Sequence, residues 1–128
     1  MKMEDRKPIP GAILSADLTI AHTEQVRDFY EQVIGWQHGG LSMGNYDDYV
    51  MTRTDGQPVA GICHPEGENA ALPPVWLVYF TVNDLNESLG ACRKLGGKVH
   101  YEPKTSIGSG SYAVIEYPAG AFCAITQI

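Results

Sequence analysis

Residues 76–98 read WLVYFTVNDLNESLGACRKLGGK, and this stretch decides the fold because a strand pattern runs directly into a helix pattern. Its first residues are typical of a strand, and Asp84 with Glu87 three positions later is a typical helix start. Gly97 marks the helix end. Residues 14–36, LSADLTIAHTEQVRDFYEQVIGW, repeat this outline, so the sequence predicts the same strand and helix twice. The helical residues predicted to face a core are Val26, Phe29, Tyr30 and Val33, then Leu85, Leu89, Cys92 and Leu95.

The repeat continues after each helix with three further strands. Residues 49–53 match residues 112–116, which gives the order βαβββ in both halves. We therefore predict an α+β protein of one domain with two βαβββ modules. The first module covers about residues 11–63, a linker about residues 64–75 and the second module about residues 76–128.

The composition excludes several classes of partner. The chain has 15 acidic and 9 basic residues, a net charge of −6 and a sequence pI of about 5.0. This balance argues against nucleic acid or an anionic membrane surface as the partner. No apolar run is long enough to span a membrane, and the amino-terminal residues MKMEDRKPIP do not resemble a secretion signal. We expect a cytoplasmic protein whose three cysteines are reduced.

Alternation along the strands separates an apolar face from a polar face in each module. In the first strand, Ser15 and Asp17 lie opposite the apolar residues that are expected to pack under the helices. The same parity places Tyr79 on the polar face of the second module. Matching the later strands of the two modules adds further residues to these polar faces: Tyr49, Met51 and Arg53, and Tyr112, Val114 and Glu116.

Two interpretations of the polar faces are open. The first is a solvated sheet face on which Asp17 and Arg53 form an ion pair. The second is a polar-lined ligand cavity, which requires the sheet to curl. An acidic, tyrosine-rich surface suits an aromatic or cationic ligand, whereas Arg53 would suit an anionic group.

Several short motifs resemble one known family. They are DFY at residues 28–30 with IGW at 34–36, DGQPVAGI at 55–62, and LGGKV at 95–99. Together with the paired modules, they resemble the vicinal oxygen chelate superfamily, which includes glyoxalase I, extradiol dioxygenases, and bleomycin and fosfomycin resistance proteins. Within this superfamily, the sequence of these motifs most resembles a bacterial branch of hydroxylase-like or antigen-like proteins. The resemblance implies curved mixed sheets around a cavity, and a homodimer.

The metal-dependent members of this superfamily bind their metal through His, Gln or Glu at four strand positions. The resemblance places these positions on Ser15, Ala60, Leu77 and Ala124. A shift by one residue offers Ala16, Gly61, Val78 and Cys123 or Ile125. Neither set supplies the donors of a divalent-metal site, so no metal and no other cofactor are expected.

We therefore predict a metal-free protein that binds a small molecule. The predicted ligand-binding residues are Ser15, Asp17, Tyr49, Met51, Arg53, Tyr79, Tyr112 and Glu116. The alternative is a metal-independent lyase, isomerase or hydroxylase-like enzyme with Asp17 or Glu116 as its acid or base. A third hypothesis is a module for protein association or regulation.

Overall fold

The computed structural model describes residues 9–128 and confirms the α+β class, with the element order βαβββ in both halves. The first half contains β1 (Ile13–Thr19), α1 (Thr23–Ile34), β2 (Gln37–Ser42), β3 (Asp47–Thr52) and β4 (Pro58–Cys63). The second half contains β5 (Trp76–Val82), α2 (Leu85–Lys94), β6 (Lys98–Tyr101), β7 (Tyr112–Glu116) and β8 (Phe122–Gln127). No helix in the described part of the chain is long and apolar enough to cross a membrane.

The chain divides into two compact units. The first unit is Ser15–Leu77, and the second unit combines residues 9–14 with Val78–Ile128. Residues 9–14 join the second unit through hydrogen bonds to Thr81: the Gly11 amide donates to its carbonyl at 2.7 Å, and the Ala12 amide donates to its hydroxyl at 2.9 Å. The predicted module boundaries of about residues 63 and 76 remain predictions.

The first unit has the strand order β2-β3-β4-β1. The pairs β2–β3 and β3–β4 are antiparallel, whereas β1 and β4 are parallel. Met51 and Ile62 are fully buried, and Leu18 is nearly so. The predicted apolar stripe of α1 is only partly a core stripe, because Phe29 and Val33 are 57% and 63% exposed.

The second unit repeats this arrangement with the order β5-β8-β7-β6. Leu85 and Leu89 of α2 pack against Ala113 and Ile125, so α2 covers one face of this sheet. The helix begins as predicted, because the Asp84 carboxylate accepts a hydrogen bond from the Glu87 amide at 3.0 Å. Leu95 is 77% exposed, which makes its predicted core position wrong. It lies after the last regular turn of the helix.

The predicted match between β3 and β7 is wrong by one residue. Met51 pairs with Ala60, which pairs with Ala16, and residues paired across a sheet lie on the same face. Met51 therefore lies on the helix-covered face of the first unit, and so does Tyr49, two residues away. Tyr112 pairs with Thr126, and both lie on the face of the second unit that α2 does not cover. A one-residue shift moves every side chain of a strand to the other face, so this single error misplaced both Tyr49 and Met51.

Candidate functional site

The face of the second unit that α2 leaves uncovered carries three tyrosines in a row. Tyr79 contacts Tyr112 with ring centroids 5.9 Å apart, and Tyr101 stacks on Tyr112 at 4.9 Å with an angle of 28° between the rings. We call these three residues the tyrosine wall. They come from three strands, β5, β6 and β7, which the sheet order brings to one surface. All three are half-buried.

A histidine and a glutamate lie on the same face as the tyrosine wall. The His100 Nε2 atom is 2.8 Å from Oε1 of Glu116, and the imidazole stacks on the Phe122 ring at 4.8 Å. Glu116 was predicted as a candidate acid or base and does lie on the face predicted for it. His100 was missed, because a regular strand would turn two consecutive residues such as His100 and Tyr101 to opposite faces.

An irregularity in β6 explains why both residues share this face. Val99 pairs with Ile115 and Tyr101 pairs with Val114, so His100 is an extra residue with no partner in this register. This is the geometry of a β-bulge, which redirects a side chain and occurs often beside active sites. The sequence carries no clear signal for this bulge, since no glycine or proline occurs within β6.

In the first unit, Asp17 lies on the sheet face that α1 does not cover, and its carboxylate packs against the backbone of Gly61. The two residues are paired between β1 and β4. A Cβ atom built on Gly61 would lie 2.5 Å from Oδ1 of Asp17, so the carboxylate occupies the space of the absent side chain. Asp17 therefore depends on a glycine opposite it. Ser15 lies on the same face two residues earlier.

Cys63 lies close to Asp17 and to the buried Asp48. Burial, and then the negative charges of Asp17 and Asp48, raise the pKa of the Cys63 thiol to about 12. A thiol with such a pKa stays protonated at neutral pH, whereas nucleophilic cysteines act as thiolates. Cys63 is therefore unsuited to nucleophilic catalysis.

A second polar network joins the start of α1 to the ends of β3 and β4. Nδ1 of His64 is 3.3 Å from Oδ1 of Asp48, and its Nε2 is 3.0 Å from Oε2 of Glu24. The Tyr49 hydroxyl donates to the same Glu24 oxygen at 2.8 Å. That bond is the main reason why the pKa of Glu24 is lowered and the pKa of Tyr49 is raised. Both nitrogens of His64 are engaged within this network.

The structure corrects three of the predicted ligand-binding residues. Tyr49 and Met51 lie on the helix-covered face, and Met51 is fully buried. Arg53 is exposed after β3 and forms an ion pair with Asp55 in the following turn. The hypothesis of an Asp17–Arg53 ion pair is therefore wrong. Local geometry explains this, since the turn places the Asp55 carboxylate beside the guanidinium.

The strand registers also give the metal-ligand positions a structural test. Asp17 pairs with Gly61 in the first unit, and Tyr79 pairs with Ala124 at the corresponding place in the second unit. Gly61, rather than Ala60, is therefore the counterpart of Ala124. Neither residue carries a donor atom in its side chain. Within residues 9–128, no group of three or more His, Cys, Asp or Glu side chains could hold a metal ion.

The second unit also contains a cavity of about 230 Å³, and Glu116 is one of its lining residues. Cys92, Cys123, Ile115 and Pro118 are among its lining residues. Burial is the main reason why the pKa of the Cys123 thiol is raised, with Cys92 as a smaller cause. The cavity is mostly apolar and differs in chemistry from the tyrosine wall.

A family comparison fits this architecture. The model of the Glyoxalase/Bleomycin resistance protein/Dioxygenase superfamily matches residues 12–123. The chain belongs to this superfamily. Its similar curated relatives include the anthracycline biosynthesis proteins DauV of Streptomyces sp. (strain C5) and DnrV of Streptomyces peucetius. Each is 28% identical over 128 residues, which cover 91% of this chain and 46% of the relative. The chain thus spans just under half the length of these relatives.

Several solved structures share this fold at low sequence identity. The methylmalonyl-CoA epimerase of Mycobacterium tuberculosis is 13% identical with a TM-score of 0.53, covering 91% of this chain and 87% of its own. A hypothetical protein of Bacillus halodurans C-125 is 9% identical with a TM-score of 0.58, covering 92% of this chain and 94% of its own. These likenesses concern the fold alone.

The raised pKa of Cys63 predicts a loss of stability at alkaline pH. Above about pH 9 the unfolded chain loses the thiol proton, whereas the folded chain keeps it up to about pH 12. The free energy of unfolding should therefore fall across this range, and Cys63→Ala should reduce the fall. Urea unfolding of both proteins at about pH 8 and about pH 10 measures the difference. An identical fall in both would contradict the assignment.

Proposed function

We propose that this protein binds a planar aromatic small molecule on the tyrosine wall. The observation that carries the proposal is the row formed by Tyr79, Tyr112 and Tyr101, with ring centroids 5.9 and 4.9 Å apart. Aromatic rings bind one another by stacked or edge-to-face contact, and phenol hydroxyls add directional hydrogen bonds. A ligand with fused rings and ring oxygens suits both kinds of contact.

The names of the curated relatives support this class of ligand. DauV and DnrV are anthracycline biosynthesis proteins, and an anthracycline contains a planar system of fused, oxygen-bearing rings. We infer that the ligand of this protein is a polycyclic aromatic compound of comparable shape. The shared region is about half of each relative, so the inference concerns binding by this domain.

We further propose that binding needs no metal. The resemblance places the ligand positions of metal-dependent members on Ser15, Leu77, Ala124 and Ala60. The strand register replaces Ala60 with Gly61, which is the counterpart of Ala124. Three of these four positions have no donor atom in their side chain, which supports the proposal. Elemental analysis of untagged protein should find far less than one equivalent of Zn, Ni, Mn or Fe.

We also propose a cytoplasmic homodimer. The acidic composition supports the cytoplasm as the location. The matched region covers 46% of each relative, so a relative is long enough to contain two domains of this size, and a dimer would give this protein the same number. Strands β2 and β6 are edge strands, and natural proteins usually cover or pair such edges.

Asp17 remains a proposed ligand contact of the first unit.

A second candidate function is metal-independent acid–base catalysis. The observation that favours it is the His100–Glu116 pair beside the tyrosine wall, with its 2.8 Å contact. Histidine and carboxylate pairs recur in enzymes that move protons. Glu116 was predicted for this role together with Asp17, and His100 is the addition that the structure contributes.

Binding is tested by isothermal titration with dihydroxyanthraquinone, a planar probe with fused rings and phenol oxygens. Tyr101→Leu should weaken binding about tenfold, which is the effect of losing roughly 1.4 kcal/mol of aromatic contact. Tyr117→Leu is the matched control, because Tyr117 is exposed in the turn after β7, outside the wall. Unchanged affinity in Tyr101→Leu, or no binding by the wild-type protein, would contradict the proposal.

A further inference from the structure

We propose that His100 is a general base that transfers a proton at the carbon next to a carbonyl group of a bound aromatic ketone. Glu116 is its positioning residue. The inference rests on the proposed ligand class and adds a reaction to it. Three features of the described residues carry it: the bulge in β6, the contact with Glu116, and the stacking on Phe122.

The bulge puts the imidazole on the face where the proposed ligand would lie. Val99 and Tyr101 have partners in β7, and the extra residue between them is His100. Without the bulge, His100 and Tyr101 would point to opposite sides of the sheet. A bulge leaves a residue unpaired and locally disrupts the ladder, so its position beside the tyrosine wall indicates a role for the redirected side chain.

The contact with Glu116 determines which nitrogen of His100 acts. A carboxylate 2.8 Å from Nε2 favours the tautomer with the proton on Nε2, as in other carboxylate–histidine pairs. Nδ1 then carries the lone pair, and no residue among 9–128 hydrogen-bonds to it. The His100 side chain is 38% exposed, so Nδ1 is accessible to a ligand, whereas Glu116 is only 20% exposed.

Ring stacking holds the imidazole in place. The His100 and Phe122 rings are 4.8 Å apart with an angle of 25° between them. The ring is thus constrained on its face by Phe122 and at Nε2 by Glu116. A base held in one orientation loses less freedom when the ligand binds, which favours proton transfer.

The proposed step conserves atoms and electrons. The Nδ1 lone pair takes the proton, the C–H bond breaks, and its electron pair moves to form the enolate of the ketone. Glu116 stabilises the resulting imidazolium, and the phenol hydroxyl of Tyr101, the next residue along β6, donates to the enolate oxygen. Return of a proton to the same carbon regenerates the ketone with an exchanged hydrogen, and return to a conjugated carbon completes an isomerisation. No oxidant, reductant or metal takes part.

Exchange of protons for deuterium tests this step directly. β-Tetralone is a bicyclic aromatic ketone with acidic protons beside its carbonyl, and proton NMR follows their loss in D₂O. The wild-type protein should accelerate the loss over buffer alone, and His100→Gln should lower the accelerated rate about a hundredfold. Glu116→Gln should lower kcat for exchange and leave KM unchanged, which a purely structural role would not do.

The matched control is His38→Gln. Like His100, His38 contacts a glutamate, Glu31 of α1, and it lies in the first unit. This variant should exchange β-tetralone at the wild-type rate. Equal rates in wild type and His100→Gln would overturn the inference.

Titration of β-tetralone and dihydroxyanthraquinone with the same proteins separates the two proposals. Binding by the wild-type protein without accelerated exchange would overturn the catalytic inference and leave the binding function intact. Absence of binding by both probes would overturn both. A His100→Gln variant that binds β-tetralone normally but does not exchange its protons is the expected result.

Discussion

Gly97→Ala should lower the free energy of unfolding by about 2–3 kcal/mol, the largest stability effect expected from a single methyl group in this chain. A Cβ atom at this position would lie 2.6 Å from the Cys92 sulfur and 3.1 Å from the carbonyl oxygens of both Cys92 and Glu116. Two of these three atoms are backbone and cannot rotate away. The backbone between α2 and β6 would have to move.

A second glycine of the same segment provides the control. Gly90 lies within α2, and a Cβ there would meet nothing within 4 Å. Gly90→Ala should therefore raise the free energy of unfolding by about 0.5–1 kcal/mol, because alanine loses less backbone freedom in a helix. In a Cys92→Ala background, Gly97→Ala should still lower the free energy of unfolding, but by less, because the sulfur is gone while the two carbonyl oxygens remain. Equal stability of the two glycine variants by urea unfolding would contradict the packing described here.

Gly61→Ala should cost about 1–3 kcal/mol of unfolding free energy, because the new Cβ would overlap the Asp17 carboxylate at 2.5 Å. The side chain of Asp17 is short and sits on a paired strand, so it has little room to withdraw. The substitution should therefore displace the carboxylate from its place on the uncovered face of the first unit.

Two variants of Asp17 separate crowding from charge. In an Asp17→Ala background the overlapping atoms are gone, and Gly61→Ala should become nearly neutral. In an Asp17→Asn background the side chain keeps its size but loses its charge, so Gly61→Ala should lower the free energy of unfolding as much as it does in the wild-type protein. A Gly61→Ala cost that is the same in all three backgrounds would show that crowding with Asp17 is not its cause.

Features with a local cause could be predicted from the sequence. The α2 start follows from Asp84 and Glu87 alone, because a cap needs only a side chain and an amide three residues apart. The order βαβββ and its repetition follow from periodicity. The faces of Asp17 and Tyr79 also follow, since alternation within each of their strands separates an apolar face from a polar one.

Features that depend on pairing between strands could not be predicted in this way. The match of Tyr49 with Tyr112 relied on residue similarity, and the strand register shifted it by one position. The bulge at His100 arises from how β6 pairs with β7, which local composition does not specify. The exposure of Phe29 and Val33 is a tertiary property, because helical spacing shows that residues share a stripe but not what covers it.

Amide chemical-shift mapping with dihydroxyanthraquinone tests the central claim, aromatic binding on the tyrosine wall, most directly. Titrating this probe into metal-free protein should shift the amides of Tyr79, Tyr101 and Tyr112 most. The amides of Cys92 and Cys123, which line the apolar cavity, should stay nearly unchanged. Largest shifts at that cavity, or no shifts at saturating probe, would contradict the claim.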